Sequence, residues 1–294
     1  MNQHAEILNQ FDLKEGVTQS LLESVRLFKV THERPREPLL YDPCMCIIAQ
    51  GHKVGYVGDR TFRYDPENYL VVSIATPFEC CTFADENNPL LGIFIDIDMA
   101  MLHEVIHAMG SQVRTVSGGK LPQTVGPAVM DNEMFDAVSR LLNILRSETD
   151  VKVLGTGLVK EILYRALKGS QAHLLYALAG FDGSFANIAH VLRRIHINYN
   201  DKLDVNYLAE YANMSVSSFH RAFKEVTSEP PMQYLKKVRL TKAKDLIVNK
   251  RLKAYLAAQE VGYESVSQFS REFKRYFGES ASEMIRSANL CVDE

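Results

Sequence analysis

Three groups of residues in this 294-residue chain have types and spacings that could do chemistry. The first is His103-Glu104-Val105-Ile106-His107. Helical positions i and i+4 share one face, so the two imidazoles could hold Zn²⁺ while Glu104 activates water, as in a zinc-dependent hydrolase. Such a site needs a third ligand, for which Asp131 and Glu133 are the candidates; otherwise both histidines simply line the exposed edge of an amphipathic helix. The second group is Cys44/Cys46 and Cys80/Cys81. With solvent access and a lowered pKa these thiols would answer oxidants or electrophiles, giving a thiol-based sensing regulator. On strands Cys44 and Cys46 face one side, and only one of the adjacent Cys80 and Cys81 can join them. Without those conditions each thiol is a small buried hydrophobe. No Gly-rich phosphate loop or Gly-x-Ser-x-Gly elbow occurs.

The third group is cationic and duplicated. Ser215-Val216-Ser217-Ser218-Phe219-His220-Arg221-Ala222-Phe223-Lys224 recurs at an offset of 50 as Ser265-Val266-Ser267-Gln268-Phe269-Ser270-Arg271-Glu272-Phe273-Lys274, with seven of ten positions identical. Self-similarity at a fixed offset marks a duplicated supersecondary unit. Ser215 and Ser265 stand where they would cap the following helix. In the first copy Val216, Phe219, Phe223 and Val226 fall on one face, and in the second Val266, Phe269, Phe273 and Tyr276 do. The opposite flank presents Ser217, His220, Arg221 and Lys224, or Ser267, Gln268, Ser270, Arg271 and Lys274. Arg matches guanine through its bidentate fork, and Gln matches adenine.

Elements able to position these groups can be read from the hydrophobic pattern. A short helix precedes each copy, Val205–Ala212 and Lys253–Glu260, which makes two helix-turn-helix motifs over about 205–226 and 253–277. Between them, Pro230-Pro231 opens a helix over Met232–Asn249 that carries Lys236, Lys237, Arg239, Lys242 and Lys244. A rod of that length spans about 27 Å, against ~34 Å between successive major grooves on one side of B-DNA. Its cations could meet phosphates.

Upstream, the apolar stretches Val25–Val30, Cys44–Ala49, Val54–Val57, Tyr69–Ile74, Phe78–Phe83 and Leu90–Ile97 are separated by turn signals such as Arg34-Pro35, Asp42-Pro43 and Asp65-Pro66. They predict a small β-barrel or sandwich over about 25–98. Helices follow over about 99–180: Met99–Met109, Asn132–Arg146, Val151–Lys168 and Ala172–Leu178, with a Ser117-Gly118-Gly119 loop after the first. Phe135, Val138, Leu142 and Leu145, with Leu158, Ile162 and Leu163, could pair between subunits of a homodimer or pack on the barrel. Ala179-Gly180-Phe181-Asp182-Gly183-Ser184 is the seam between an effector-binding and dimerisation domain, 1–183, and a DNA-binding domain, 184–294, that begins with a helix near Phe185–Tyr199.

Composition agrees with this division. A chain of 46% hydrophobic and 23% charged residues is neither disordered nor fibrous. No apolar run approaches the ~18 residues of a membrane span, and the polar start lacks the order of a signal peptide, so a cytoplasmic protein is expected. The net charge of −3 conceals 17 basic against 13 acidic residues over 187–294, and 16 against 23 over 1–186. A basic surplus on one module is the footprint of a polyanion partner.

The segment Ala258-Gln259-Glu260-Val261-Gly262-Tyr263-Glu264-Ser265 through Phe273-Lys274-Arg275-Tyr276-Phe277-Gly278 resembles the second helix-turn-helix of AraC/XylS-type transcription regulators, whose pattern is A-x-x-V-G-F-x-S-x-S-x-F-x-R-x-F-K-x-x-F-G. Residues ~187–287 look like that family's DNA-binding domain as a whole. The resemblance implies base contacts from Ser217, His220 and Arg221 and from Ser267, Gln268 and Arg271, with Phe219, Phe223, Phe269 and Phe273 in the motif cores. The chain departs from the pattern at Ala281, where Pro is usual. It departs again in the helix before the second motif, where Ala254 and Ala257 replace aliphatic residues and Tyr255 and Leu256 replace polar ones; that helix is expected to be shifted or less well packed. Gln50-Gly51-His52-Lys53-Val54, Tyr64-Asp65-Pro66, Tyr69–Ser73 and Asp96-Ile97-Asp98 resemble the cupin-like effector domain of a subgroup. A metal-binding cupin needs His-x-His, and His52 is followed by Lys53-Val54, so neither metal nor cofactor is expected. The resemblance implies an α+β fold: a cupin-like β-barrel with following helices, then an all-α domain of two helix-turn-helix motifs joined by a long helix. It implies an activator, not an enzyme, with duplex DNA, RNA polymerase and a small-molecule effector as partners.

Overall fold

A computed structural model describes residues 2–110, 124–180, 183–248 and 250–290. The Ser117-Gly118-Gly119 loop, Phe181-Asp182 of the seam, Asn249 and Cys291 lie outside the described residues. The chain divides into two compact units, one of residues 1–36 and 41–186 and the other of residues 37–40 and 187–294.

The first unit is built on two antiparallel sheets. In chain order its strands are β1 (Gly16–Gln19), β2 (Val25–Val30), β3 (Arg34–Tyr41), β4 (Cys44–Gln50), β5 (His52–Val57), β6 (Arg60–Tyr64), β7 (Asn68–Val72), β8 (Thr76–Phe83), β9 (Leu90–Asp96) and β10 (Val125–Val129). Six form a sheet in the order β1-β2-β9-β4-β7-β10, and four form a second, β3-β8-β5-β6. Strands therefore lie outside the expected span of 25–98 at both ends: β1 pairs with β2, and β10 returns after a helix to pair with β7. The segment read as a turn at Arg34-Pro35 is the start of β3, an edge strand, where a residue without an N–H is tolerated.

Five helices belong to this unit: α1 (Gln3–Leu8), α2 (Met99–Met109), α3 (Asn132–Ile144), α4 (Glu148–Ala166) and α5 (Ala172–Leu178). Their apolar faces share one core with Leu27, Met45, Ile47, Val71, Ile93 and Ile95 of the six-stranded sheet. Val138, Leu142, Leu145, Ile162 and Leu163 are buried there, and Phe135 stacks on the buried His4 ring at 4.0 Å. The faces that could have paired between subunits are thus spent inside the chain's own core. β4 is buried along almost its whole length because it is covered on both sides, by helices on one and by the second sheet on the other.

The second unit is helical: α6 (Gly183–Ile197), α7 (Val205–Tyr211), α8 (Val216–Thr227), α9 (Pro231–Val248), α10 (Ala254–Glu260), α11 (Val266–Phe277) and α12 (Ala281–Leu290). Two helix pairs, α7/α8 and α10/α11, both pack on the central α9. Phe219 and Phe223 are fully buried, with the Phe223 ring edge-on to Tyr234 of α9 at 5.4 Å. Phe269 and Phe273 join Leu240, Ala243 and Ile247 of α9 in the second core. No described helix is long and apolar enough to cross a membrane.

Candidate nucleic-acid interface

The two helix pairs repeat one another in their caps as well as in their sequence. Ser215 Oγ accepts from the Ser218 N–H at 3.3 Å, and Ser265 Oγ accepts from the Gln268 N–H at 3.2 Å, each satisfying a first-turn donor that the helix leaves open. At the other end Ser228 and Gly278, again 50 apart, adopt left-handed backbone (φ 65° and 81°) and return N–H bonds of 2.8 Å to the carbonyls of Lys224 and Lys274. The turns before the recognition helices are also homologous, at an offset of 49. Asn213 (φ 53°) corresponds to Gly262 (φ 82°), and the next residue, Met214 or Tyr263, donates back to Ala209 or Ala258. The second turn is therefore one residue longer. Gly262 is required twice over, since its φ is left-handed and an added Cβ would lie 2.6 Å from the Asn200 carbonyl oxygen.

Ser217, His220, Arg221 and Lys224 on α8 are all exposed, as are Ser267, Gln268, Ser270, Arg271 and Lys274 on α11. Arg221 and Arg271 make no hydrogen bond or ion pair among the described residues. Gln268 Nε2 lies 3.4 Å from Glu272 Oε1, and Glu272 accepts from the Tyr263 hydroxyl at 2.8 Å. Val216 and Val266 do not join the buried face: they are 40% and 41% exposed, because the first helical residue projects beyond the core that begins at Phe219 and Phe269. Tyr276 is only partly buried. In α10 the buried side runs through Ala257, Ala258 and Val261 with Ala254 half-buried beside them, and Tyr255 and Leu256 are exposed, so the face that the family pattern marks for burial is the one that packs and the expected shift does not occur.

The basic residues of α9 separate into two kinds. Arg239 donates to the carbonyls of Tyr199 (2.7 Å) and Asp201 (2.8 Å), and Lys237 pairs with Glu229, so both are tied into the unit itself. Lys236 and Lys242 are half-exposed. Lys236 lines a pocket of about 410 Å³ together with Lys202, Met232, Tyr263 and Gln268, between the second turn and α9.

The other two chemistry-bearing groups are used otherwise. On α2, His103 and His107 are exposed, with His103 Nε2 3.1 Å from the Ala179 carbonyl oxygen. Glu104 is ion-paired with Lys160 at 2.5 Å, Glu133 with Arg165 at 2.5 Å, and Asp131 caps α3 by accepting from the Met134 N–H at 2.8 Å. The water-activating carboxylate and both candidate third ligands are thus engaged elsewhere. Cys44, Cys46 and Cys80 are buried and Cys81 is half-exposed. Burial pushes the Cys46 thiol up to about 12 and holds Cys44 well above its ordinary value, so neither is a thiolate near neutral pH.

Comparison with known proteins agrees with this anatomy. Residues 21–174, more than half of the chain, match the family described as the AraC-type transcriptional regulator N-terminus, and residues 208–287 match a helix-turn-helix domain. The Msm operon regulatory protein of Streptococcus mutans is 32% identical over 97 residues, which are 33% of this chain and 35% of that protein. RclR of Escherichia coli, a transcriptional activator, is 38% identical over 74 residues, 25% of this chain and 26% of RclR. GbdR of Pseudomonas aeruginosa is 22% identical over 172 residues, 58% of this chain and 44% of GbdR. The chain thus spans less than half the length of these curated relatives. ToxT from Vibrio cholerae superposes over 89% of this chain and 97% of its own with a TM-score of 0.56; at 10% identity it shares the fold. ToxT has also been solved with an unsaturated fatty acid bound. A two-sheet N-terminal unit of the AraC type followed by a duplicated helix-turn-helix places this chain among the AraC-type transcriptional regulators, a family of regulators and not of enzymes.

Proposed function

We propose that the chain is a sequence-specific regulator that binds duplex DNA through α8 and α11 and acts in the cytoplasm as an activator working with RNA polymerase. One observation carries this reading: two recognition helices with the same caps each display an exposed Arg-Lys pair, and neither Arg is committed to a partner among the described residues. Ser217, His220 and Arg221 read one major-groove segment, and Ser267, Gln268 and Arg271 the next. Lys224 and Lys274, together with Lys236 and Lys242, supply phosphate contacts. The 18 residues of α9 supply a spacer of about 27 Å. The domain boundary lies at the seam of residues 179–184. The N-terminal unit binds a small-molecule effector and supports a homodimer, and the effector acts by favouring one of two pre-existing arrangements.

The test is selection of bound fragments from random DNA by the full chain, followed by competition gel shifts. Arg221→Ala and Arg271→Ala should each cost ~1–3 kcal/mol at the selected site and relax preference at separate positions. Lys236→Ala should weaken all sequences alike. Absence of salt-sensitive binding to duplex DNA would overturn the proposal.

A further inference from the structure

The interior of the β-rich unit contains an isolated cation. Lys53 lies on β5, where the register places it opposite Tyr64 of β6 and Thr82 of β8; two residues along, Gly55 stands opposite Phe62 and Cys80. Alternate residues of a strand share a face, so these side chains line one inner surface, and all of them are buried. Lys53 Nζ donates to the Tyr41 hydroxyl at 2.8 Å. The Tyr41 ring in turn lies 5.3 Å from Phe78 and 5.1 Å from Phe94, and the latter belongs to the opposite sheet.

Charge is the unusual feature. Lys53 is the one Lys, Arg, Asp or Glu among the buried described residues. Three arginines nearer the surface of this unit have carboxylate partners: Arg26 with Asp96, Arg36 with Glu79 and Arg63 with Asp65, at 2.5–2.7 Å. Lys53 has a neutral phenol, whose oxygen accepts from one of the three ammonium N–H groups. Burial pushes Tyr41 and Cys46 up to about 12, so both keep their protons near neutral pH. Burial works against the Lys53 ammonium, and with these neighbours protonated it is held by its hydrogen bond to the Tyr41 hydroxyl. A buried charge without a counter-charge is destabilising, and an anion brought to it offsets that cost.

We propose that Lys53 and Tyr41 form the receptor for the headgroup of a small monocarboxylate whose apolar body lies against Phe62, Phe78 and Phe94. Two donors, an ammonium N–H and the phenol O–H that faces away from it, suit the two oxygens of one carboxylate. A single cation balances a monoanion, whereas a phosphate dianion would leave surplus charge in an apolar interior. This deepens the reading of the N-terminal unit as an effector domain and rests on it.

The experiment is calorimetric titration of the full chain with 3-phenylpropionate, decanoate, their primary amides and inorganic phosphate, repeated on Lys53→Met and Tyr41→Phe. At least one acid should bind about tenfold or more tightly than its amide and more tightly than phosphate, as expected for a hydrogen bond to a charged group. Lys53→Met should abolish that preference while melting at or above the parent temperature. Tyr41→Phe, which keeps the ring, should weaken acid binding and retain the preference. Equal binding of acid and amide, tighter binding of phosphate, failure of both acids, an unchanged preference in Lys53→Met, or a lower melting temperature for that variant would each overturn the assignment. A separate gel shift distinguishes the two readings. Acid binding without any effect on DNA affinity would sink the effector role and leave the receptor standing. A DNA response that survives Lys53→Met would do the reverse.

Discussion

The two helix-turn-helix motifs share sequence, caps and left-handed turns, yet they are packed to different degrees. The first recognition helix buries Phe219, Ala222, Phe223, Val226 and Thr227, while the second buries Phe269 and Phe273 and leaves Tyr276 and Phe277 half-covered. In the second motif Tyr263 reaches from the lengthened turn to Glu272, and Glu272 lies beside Gln268. A duplicated unit has thus kept its local signals and changed its side-chain surroundings. Caps and turns are set by the chain itself, whereas packing depends on which stretch of α9 each copy meets.

The largest effect expected from this contrast is in the cores. Phe223→Ala and Phe273→Ala should each cost about 3–5 kcal/mol in denaturant unfolding followed by helical signal. Equal softness of the two sites to milder Phe→Leu changes would break the comparison, since the second site should yield more easily. Next is the turn: Gly262→Ala should destabilise by about 1–3 kcal/mol, more than Asn213→Ala, because the glycine is confined by the Asn200 carbonyl as well as by its φ. Gln268→Ser should remove about 1–3 kcal/mol of discrimination at a single base position, measured by competition binding. If Gln268 takes its orientation from Glu272, Glu272→Ala should lessen the same preference to a smaller degree. Smallest are the caps. Ser215→Ala and Ser265→Ala should each cost about 1 kcal/mol, and a large disparity between them would show that the motifs differ locally after all.

Much of the helical unit was legible in advance. The repeat, the serines ahead of each recognition helix and the exposed Arg-Lys flank are all local, and the elements formed where those signals stood. The misplaced residues are instructive. Val216 and Val266 have the correct helical phase for the core but sit one turn too early to reach it. Arg239 and Lys237 look like phosphate ligands from sequence, yet carbonyls and a glutamate brought by neighbouring segments occupy them. Lys53 entered the sequence reading only as the residue after His52 in a segment resembling the cupin-like domain, and nothing local marked it for burial.

The β-rich unit was harder to read for a physical reason. β6, Arg-Thr-Phe-Arg-Tyr, alternates charge with aromatic residues, so it lacks a continuous apolar run, although Phe62 and Tyr64 are buried. β3 holds two prolines and is acceptable only because it is an edge. β10 is defined by pairing with β7, more than fifty residues away. The amino-acid sequence alone determined where helices start, stop and turn, because hydrogen bonds between near neighbours fix those events. Only the tertiary structure decided which strands adjoin, which cysteine points inward, and that one lysine is enclosed without a carboxylate partner among the described residues. Those outcomes depend on contacts between segments far apart in the chain, which no window of neighbouring residues records.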